Sequence, residues 1–138
     1  MCIRDSYKDI VPAAKSGALL IDCSTVDVDS AKKAHDAASA AGLLSVDAPV
    51  SGGVGGAAAG TLTFMAGGSD ASIAAANSVL DVMGGKIVHC GDGGAGQMAK
   101  ICNNMVLGIS MIGVCEAFNM ADKLGLSREA MYLSLIHI

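Results

Sequence analysis

The chain has 138 residues, a formal net charge of −4 and 52% hydrophobic residues. This length suits one domain, or part of one domain and the start of another. No stripe of basic residues is present, so nucleic acid is not an expected partner. The most apolar run, residues 105–115, is shorter than the roughly 18 to 20 residues that a membrane span requires, and it predicts a buried helix instead.

Both ends of the chain have the pattern of one inverted oligonucleotide. A DNA run that can encode the first six residues has a reverse complement that, read one frame over, encodes the last six. We identify this run as the end sequence of transposase-based sequencing libraries. Residues 1–6 and 133–138 are therefore predicted to be artefactual ends. The remainder, residues 7–132, is predicted to be an internal piece of a longer protein.

Strands and helices alternate through the first two thirds of the chain. Residues 7–17 are typical of the end of a helix, and residues 29–41 and 70–83 of complete helices. Short apolar runs predict strands at residues 18–23, 43–48, 61–66 and 86–90. The order strand, helix, strand with short connections indicates a parallel sheet covered by helices.

Ser24 and Thr25 directly follow the first of these strands. In an open α/β sheet, ligands bind at the carboxyl ends of the strands, which makes both hydroxyls candidates for a binding site. The alternative is that either hydroxyl caps a turn or the next helix. The spacing of the residues leaves both interpretations open.

A glycine-rich stretch follows the second strand, at residues 49–60. Its backbone N–H groups are free to converge on an anion, and Ser51 beside Gly52 and Gly53 adds a hydroxyl donor. No Gly-Lys-Ser/Thr ends the stretch, which excludes a nucleotide P-loop. A small carboxylate is the expected ligand, and a flexible linker is the alternative.

A second glycine-rich entry, residues 91–96, leads into one helix predicted from residue 95 to about residue 124, roughly 45 Å long. Lys100 and Asn104 lie one turn apart on it, and Gly96 precedes Lys100 on the same face, where glycine would admit a ligand close to the backbone. An amine in apolar surroundings suits proton transfer. The alternative is a lysine whose stem covers apolar surface while its charge stays in water.

Four cysteines remain outside the artefactual ends, and all have apolar neighbours in the sequence: Cys23, Cys90, Cys102 and Cys115. They are expected to be reduced thiols in the core of an intracellular protein. His35 and His89 lack partners at metal-ligand spacing, so no metal site is expected. Gly125 is expected to end the long helix, and Ser127 to begin another.

Three motifs occur in order: Ile21-Asp22-Cys23-Ser24-Thr25, Asp47-Ala48-Pro49-Val50-Ser51-Gly52-Gly53, and Gly94-x-Gly96-x-x-x-Lys100-x-x-x-Asn104. Together they resemble the β-hydroxyacid dehydrogenase family, over essentially all of residues 7–132. The resemblance implies an α/β fold, the second half of a Rossmann-type nucleotide-binding domain at residues 7–92. Residues 93–132 would then begin an all-α domain with its first long helix.

The family resemblance also implies an activity, the oxidation of a short 3-hydroxy acid to its semialdehyde with NAD or NADP. Lys100 would be the proton donor and acceptor, and Asn104 would orient the substrate. Ser51, Gly52 and Gly53 would bind the substrate carboxylate, and Thr25 with Ser24 would lie beside the nicotinamide ribose. The family's dinucleotide fingerprint and most of its helical domain are not in this sequence, so the chain alone is predicted to be inactive.

The resemblance further implies a homo-oligomer that acts on a small carboxylate, without a membrane or nucleic acid as partner. The expected location is the cytoplasm of a bacterium, or the mitochondrial matrix if the source is eukaryotic. One alternative is a sister reductase of the family that acts on tartronate semialdehyde or succinic semialdehyde. A second alternative, of another class, is a non-catalytic helical oligomerisation module.

Overall fold

The computed structural model describes residues 3–137, with side chains from Ser6 onward; Met1, Cys2 and Ile138, which belong to the predicted artefactual ends, lie outside the described residues. The elements in chain order are α1 Ile3–Ala13, β1 Leu19–Asp22, α2 Val28–Ala40, β2 Leu44–Asp47, β3 Val50–Ser51, α3 Gly53–Ala59, β4 Leu62–Gly67, α4 Asp70–Met83, β5 Gly84–Gly91, α5 Ala95–Lys123 and α6 Arg128–Leu135. The chain divides into two compact units between Ile101 and Cys102. All of the sheet lies in the first unit.

The sheet is mixed rather than wholly parallel as predicted. β1 pairs with β2 in parallel, and β4 pairs with β5 in parallel, whereas β2 and β3 both pair antiparallel with β4. The reason lies at Ala48-Pro49, which continues the direction of β2 into β3 instead of starting a crossover helix. The register from Asp47↔Gly67 to Val50↔Phe64 is therefore unbroken along β4.

Most of the glycine-rich stretch is helical, so the flexible-linker interpretation is wrong. α3 covers Gly53–Ala59, and Gly60 ends it in the left-handed conformation with φ 65°. The alanines in its second half favour a helix. At its start Gly52 and Gly53 have φ 131° and 61°, values that side-chain-bearing residues rarely adopt.

The hydrophobic core of the first unit lies between the sheet and its helices. On the sheet side Val46, Phe64 and Ala66 are buried, and α4 packs Ile73 and Leu80 against them. Helix α2 has a buried face of alanines, formed by Ala31, Ala34 and Ala38. These contacts seat α2 and α4 on the sheet and leave the strand ends to form the site.

The C-terminal part of α5 contradicts the prediction of a buried helix. Its large apolar side chains are 53% to 66% exposed from Met105 through Val114. The apolar pattern records what a helix is able to bury, and the only other helix in the described part of this unit, α6, has eight residues and is too short to cover it. An 18-residue window of α5 has a mean hydropathy of 1.5 and no buried residue, so by length and composition alone the helix could cross a membrane.

The cysteines are free, as expected, but they are not core residues. Cys23, Cys102 and Cys115 are exposed, and Cys90 is half-buried. Cys102 and Cys115 both lie on exposed parts of α5, and Cys23 directly follows the carboxyl end of β1. Among the described residues, no cluster of histidine, cysteine and carboxylate side chains has the arrangement of a metal site.

Asp27, and not Asp29 or Ser30, caps α2, and this predicts a pH dependence of stability. The Asp27 carboxylate accepts a hydrogen bond from the Ser30 N–H at 2.8 Å, and its hydrogen bonds with Ser30 lower its pKa. A lowered pKa in the folded state contributes stability above the unfolded-state value, and that stability is lost as the pH falls through the folded-state value. In urea unfolding the wild type should therefore lose more stability between about pH 5 and about pH 3 than Asp27→Asn, which keeps the cap without the charge. Equal losses in the two proteins would contradict the assignment.

Candidate active site

The buried carboxylate of Asp47 holds the start of α5. Asp47 ends β2 and is 3% exposed. Its Oδ1 accepts from the Gly94 N–H at 2.8 Å, and its Oδ2 accepts from the Gln97 N–H at 2.9 Å. These two N–H groups belong to the first turn of the helix, where donors lack partners within the helix and the dipole favours a negative charge. A strand residue thus supplies the cap that the sequence of α5 lacks.

His35 adds a third donor to this carboxylate. His35 Nε2 lies 2.9 Å from Asp47 Oδ1, and its Nδ1 lies 2.6 Å from the Ser45 hydroxyl. Since a carboxylate only accepts, we assign a proton to Nε2, which donates to Asp47. Three donors from α2, the entry loop and α5 therefore converge on one buried carboxylate.

Glycines allow α5 to lie directly on the sheet. A Cβ added to Gly96 would overlap the Met65 carbonyl and lie 2.6 Å from the Asp47 carbonyl. At Gly67 an added Cβ would lie 2.7 Å from the Gly96 nitrogen. Gly96 therefore faces the sheet backbone, and the prediction that it admits a ligand is wrong.

The Lys100 side chain reaches the far end of the strand segment that runs from Asp47 to Val50. Its Nζ donates to the carbonyl of Val50 at 2.8 Å, and the residue is half-buried. Three strand residues from Asp47 to Val50 span about 10 Å, and six helical residues from Gly94 to Lys100 rise about 9 Å. Because the two lengths match, the first two turns of α5 contact both ends of this segment, and the amine lies beside the residue that precedes Ser51.

The predicted carboxylate-binding residues form the turn between β3 and α3. Ser51 pairs with Thr63 in the sheet and is half-buried, while Gly52 and Gly53 are exposed. The turn therefore presents a hydroxyl and backbone to solvent next to the amine of Lys100. The structure brings these two predicted parts together, although they are about fifty residues apart in the chain.

Ser24 and Thr25 lie at the carboxyl end of β1, and both are exposed. The Ser24 N–H donates to Asp22 Oδ1 at 2.9 Å. The cap of α2 is Asp27, so neither hydroxyl serves that purpose. β1 and β2 are parallel, and their carboxyl ends place Ser24 and Asp47 at one edge of the sheet.

Gln97 joins that edge to the helix, and the sequence analysis missed it. Its side chain is fully buried; its Nε2 donates to the Ser24 carbonyl at 2.7 Å, and its Oε1 accepts from the Val26 N–H at 3.2 Å. Asp47 entered the sequence prediction only as part of a motif, and His35 was considered only as a metal ligand. A charged residue at the end of an apolar strand and an amide in the first turn of an uncapped helix were the available signals.

Asn104, the last predicted site residue, belongs to the second unit. It lies four residues beyond Lys100 in α5, is exposed, and accepts from the Asn103 amide at 3.4 Å. The same unit contains an ion pair between Asp122 and Arg128 at 2.7 Å. The Arg128 guanidinium holds the pKa of Asp122 below its usual range.

The ionisable groups near Asp22 and Asp47 retain their protons. Burial, followed by the charges of Asp22 and Asp47, raises the pKa of Tyr7 to about 12. Burial also raises the pKa of the Cys23 thiol, with Asp22 as the second cause, and that of the Cys90 thiol, with Asp47 as the second cause. Thiolate nucleophiles are therefore disfavoured here.

Two family models together match most of the chain. The model of the NAD binding domain of 6-phosphogluconate dehydrogenase matches residues 2–91, and the model described as NAD-binding of NADP-dependent 3-hydroxyisobutyrate dehydrogenase matches residues 94–137. The 3-hydroxyisobutyrate dehydrogenase of Pseudomonas aeruginosa is 58% identical over 108 residues, which cover 78% of this chain and 36% of that protein. The chain belongs to the 3-hydroxyisobutyrate dehydrogenase family.

Other members of the 3-hydroxyisobutyrate dehydrogenase family are similar over most of the chain. The mitochondrial enzyme of Homo sapiens is 51% identical over 122 residues, covering 88% of this chain and 36% of that protein. A solved structure of the Mycobacterium tuberculosis enzyme with L-serine has a TM-score of 0.95 and 48% identity, covering 99% of this chain and 47% of that one. The chain thus spans less than half the length of these relatives. The expected family and α/β fold are confirmed.

The close approach of α5 to the sheet predicts opposite effects of alanine at two glycines of the same helix. Gly96→Ala places a Cβ against the Met65 and Asp47 carbonyls, and overpacking of this kind costs about 1–3 kcal/mol. At Gly113 an added Cβ meets nothing within 4 Å, so Gly113→Ala should raise stability by up to about 1 kcal/mol. Urea unfolding followed by far-UV circular dichroism measures both. A Gly96→Ala protein as stable as the wild type would show that the helix does not lie against the sheet in this way.

Proposed function

We propose that the full-length protein containing this chain oxidises a short 3-hydroxy acid, 3-hydroxyisobutyrate, to its semialdehyde with NAD or NADP. The main support is the 2.8 Å contact from Lys100 Nζ to the carbonyl of Val50, which precedes Ser51. An amine next to a serine-glycine turn matches a small molecule that carries both a hydroxyl and a carboxylate. L-Serine, the molecule in the Mycobacterium tuberculosis structure, carries its hydroxyl and its carboxylate at the same spacing as a 3-hydroxy acid.

The proposed mechanism divides the work among three groups of residues. The Ser51 hydroxyl and the N–H groups of Gly52 and Gly53 hold the substrate carboxylate, and Asn104 orients the substrate. Lys100 accepts the hydroxyl proton while hydride leaves the carbon that bears the hydroxyl, and it returns that proton in the reverse direction. A semialdehyde and one proton on Lys100 result.

The residues at the end of β1 fit a dinucleotide. Thr25 and Ser24 expose hydroxyls at the sheet edge where ligands bind in this class of fold, and they would hold the nicotinamide ribose. Bound nicotinamide supplies the acceptor for the hydride. The residue that separates NAD from NADP is expected in the half of the domain that this chain does not include.

The proposal includes the organisation of the whole protein. Residues 7–92 are assigned to the nucleotide-binding domain, residues 93–132 to the start of a helical domain, and residues 1–6 and 133–138 to artefactual ends. The full-length protein is proposed to be a homo-oligomer, in the bacterial cytoplasm or the mitochondrial matrix, and not to bind nucleic acid or membranes. The proposal that α5 does not cross a membrane is supported by Glu116, because a carboxylate within a membrane span is costly.

The alternatives differ in what they predict for kinetics. A sister reductase would prefer tartronate semialdehyde or succinic semialdehyde, so initial rates with these compounds and with 3-hydroxyisobutyrate separate the two activities. A non-catalytic helical module would need only the surface of α5. Dinucleotide turnover that is unchanged when Ser51 and Lys100 are both replaced would show that these residues take no part in catalysis, as expected if this part of the chain serves only as a helical module.

Replacing the proposed proton acceptor should abolish most of the activity. Lys100→Ala in the full-length protein should lower kcat by about 10²- to 10⁴-fold, the usual contribution of general acid–base catalysis. Dinucleotide binding, measured by nicotinamide fluorescence titration, should change little. Lys123→Ala, which removes a lysine from the other end of α5, is the matched control and should retain normal turnover. A kcat near the wild-type value in Lys100→Ala would refute the assigned role.

A further inference from the structure

The side-chain amide of Gln97 is fully buried, and it both donates and accepts a hydrogen bond. Its exposed fraction is 0%. One end of the amide donates to the Ser24 carbonyl at 2.7 Å, and the other accepts from the Val26 N–H at 3.2 Å. A single planar group thus closes the Ser24–Val26 turn from outside. Val26 N–H and the Ser24 carbonyl would otherwise need other partners, because unpaired backbone groups are costly when buried.

The backbone of the same residue is tied to a different part of the site. The Gln97 N–H donates to Asp47 Oδ2 at 2.9 Å, and Lys100 follows three residues later, almost one turn along α5. Gln97 therefore connects the end of β1 to the end of β2 through the first turn of the helix. Any displacement of Gln97 changes the distance between the Ser24–Val26 turn and the amine of Lys100.

We propose that Gln97 is a positioning residue that sets the Ser24–Val26 turn, and with it the bound dinucleotide, relative to Lys100. This inference rests on the proposed function, in which that turn holds the nicotinamide ribose. If Gln97 only stabilised the core, the volume of its side chain would matter, and its hydrogen-bond donor and acceptor would not. A titratable side chain substituted at position 97 therefore separates the two roles, because its hydrogen-bond donor depends on pH and its volume does not.

Two substitutions separate these roles. Gln97→Met keeps the approximate volume and removes both hydrogen bonds. Gln97→Glu keeps the acceptor; when protonated its O–H donates to the Ser24 carbonyl as the amide does, and when ionised it has no donor and its charge faces that carbonyl. Burial raises the pKa of a carboxyl group, so the protonated form should be accessible in mild acid.

The experiment measures the dinucleotide Kd, with KM and kcat for the hydroxy acid, in the full-length protein at about pH 6 and about pH 9. Gln97→Met should raise the dinucleotide Kd about tenfold at both values of pH, because neither hydrogen bond then holds the Ser24–Val26 turn. Gln97→Glu should show the same rise at about pH 9 and return to within about threefold of the wild type at about pH 6. The wild type and Met98→Leu, a change at the exposed neighbour, should show neither effect.

Each outcome decides the matter. A dinucleotide Kd within about twofold of the wild type in both Gln97 variants, at both values of pH, would overturn the inference while leaving the proposed function intact. A wild-type protein that binds dinucleotide but does not oxidise the hydroxy acid would overturn the proposed function alone. If Gln97→Met does not fold, the recovery of Gln97→Glu in acid still decides, since a Kd that stays high at about pH 6 contradicts positioning by this amide.

Discussion

The structure depends on the carboxylate of Asp47, which caps a helix from a neighbouring strand. A helix start without a capping side chain of its own leaves N–H groups unpaired, and burial against a sheet would make them costly. Asp47 supplies both oxygens to the N–H groups of Gly94 and Gln97, and His35 supports the same carboxylate. Hydrogen bonds to a charged acceptor are worth about 1.5–3 kcal/mol each. This is enough to hold the helix on the sheet despite the weak helix propensity of its glycine-rich start.

The position of Lys100 follows from this anchor together with the geometry of the two elements. Gly96 and Gly67 remove the side chains that would separate the helix from the sheet. The helix then runs beside the Asp47–Val50 segment for two turns, and the lysine reaches the last carbonyl of that segment. The motif from Asp47 to Gly53 therefore has two functions, since its first residue holds the helix and its last three form the proposed carboxylate site.

Much of the first unit could be predicted from local patterns. Helix α4 was predicted with its observed bounds, residues 70–83, because apolar spacing and the glycines that follow it are local signals. The pairs that build the site are not local. Asp47 lies 47 residues from Gly94 and Gln97 lies 73 residues from Ser24, and periodicity carries no information about such pairs. Only the order of the three motifs, through resemblance to a family, indicated that these segments meet.

Some of the errors have a common physical origin, because an apolar pattern shows what a segment can bury and not whether a partner is present. The apolar side chains and cysteines of α5 were expected in a core, and in the second unit they are exposed. A different error concerns the flexible-linker alternative for the glycine-rich stretch, where the alanines favour α3. The antiparallel pairing of β3 with β4 depends on Ala48-Pro49, where the strand continues without a turn.

Native-state hydrogen exchange at the Gln97 amide measures whether the Asp47 carboxylate caps α5. This N–H should be protected in the wild type. Asp47→Asn should lower its protection by about tenfold or more, because asparagine has one side-chain oxygen to accept hydrogen bonds where the carboxylate has two. Asp92→Asn, which removes an exposed carboxylate from the same entry loop, should leave the protection unchanged. Equal protection of Gln97 in the wild type and in Asp47→Asn would contradict the account.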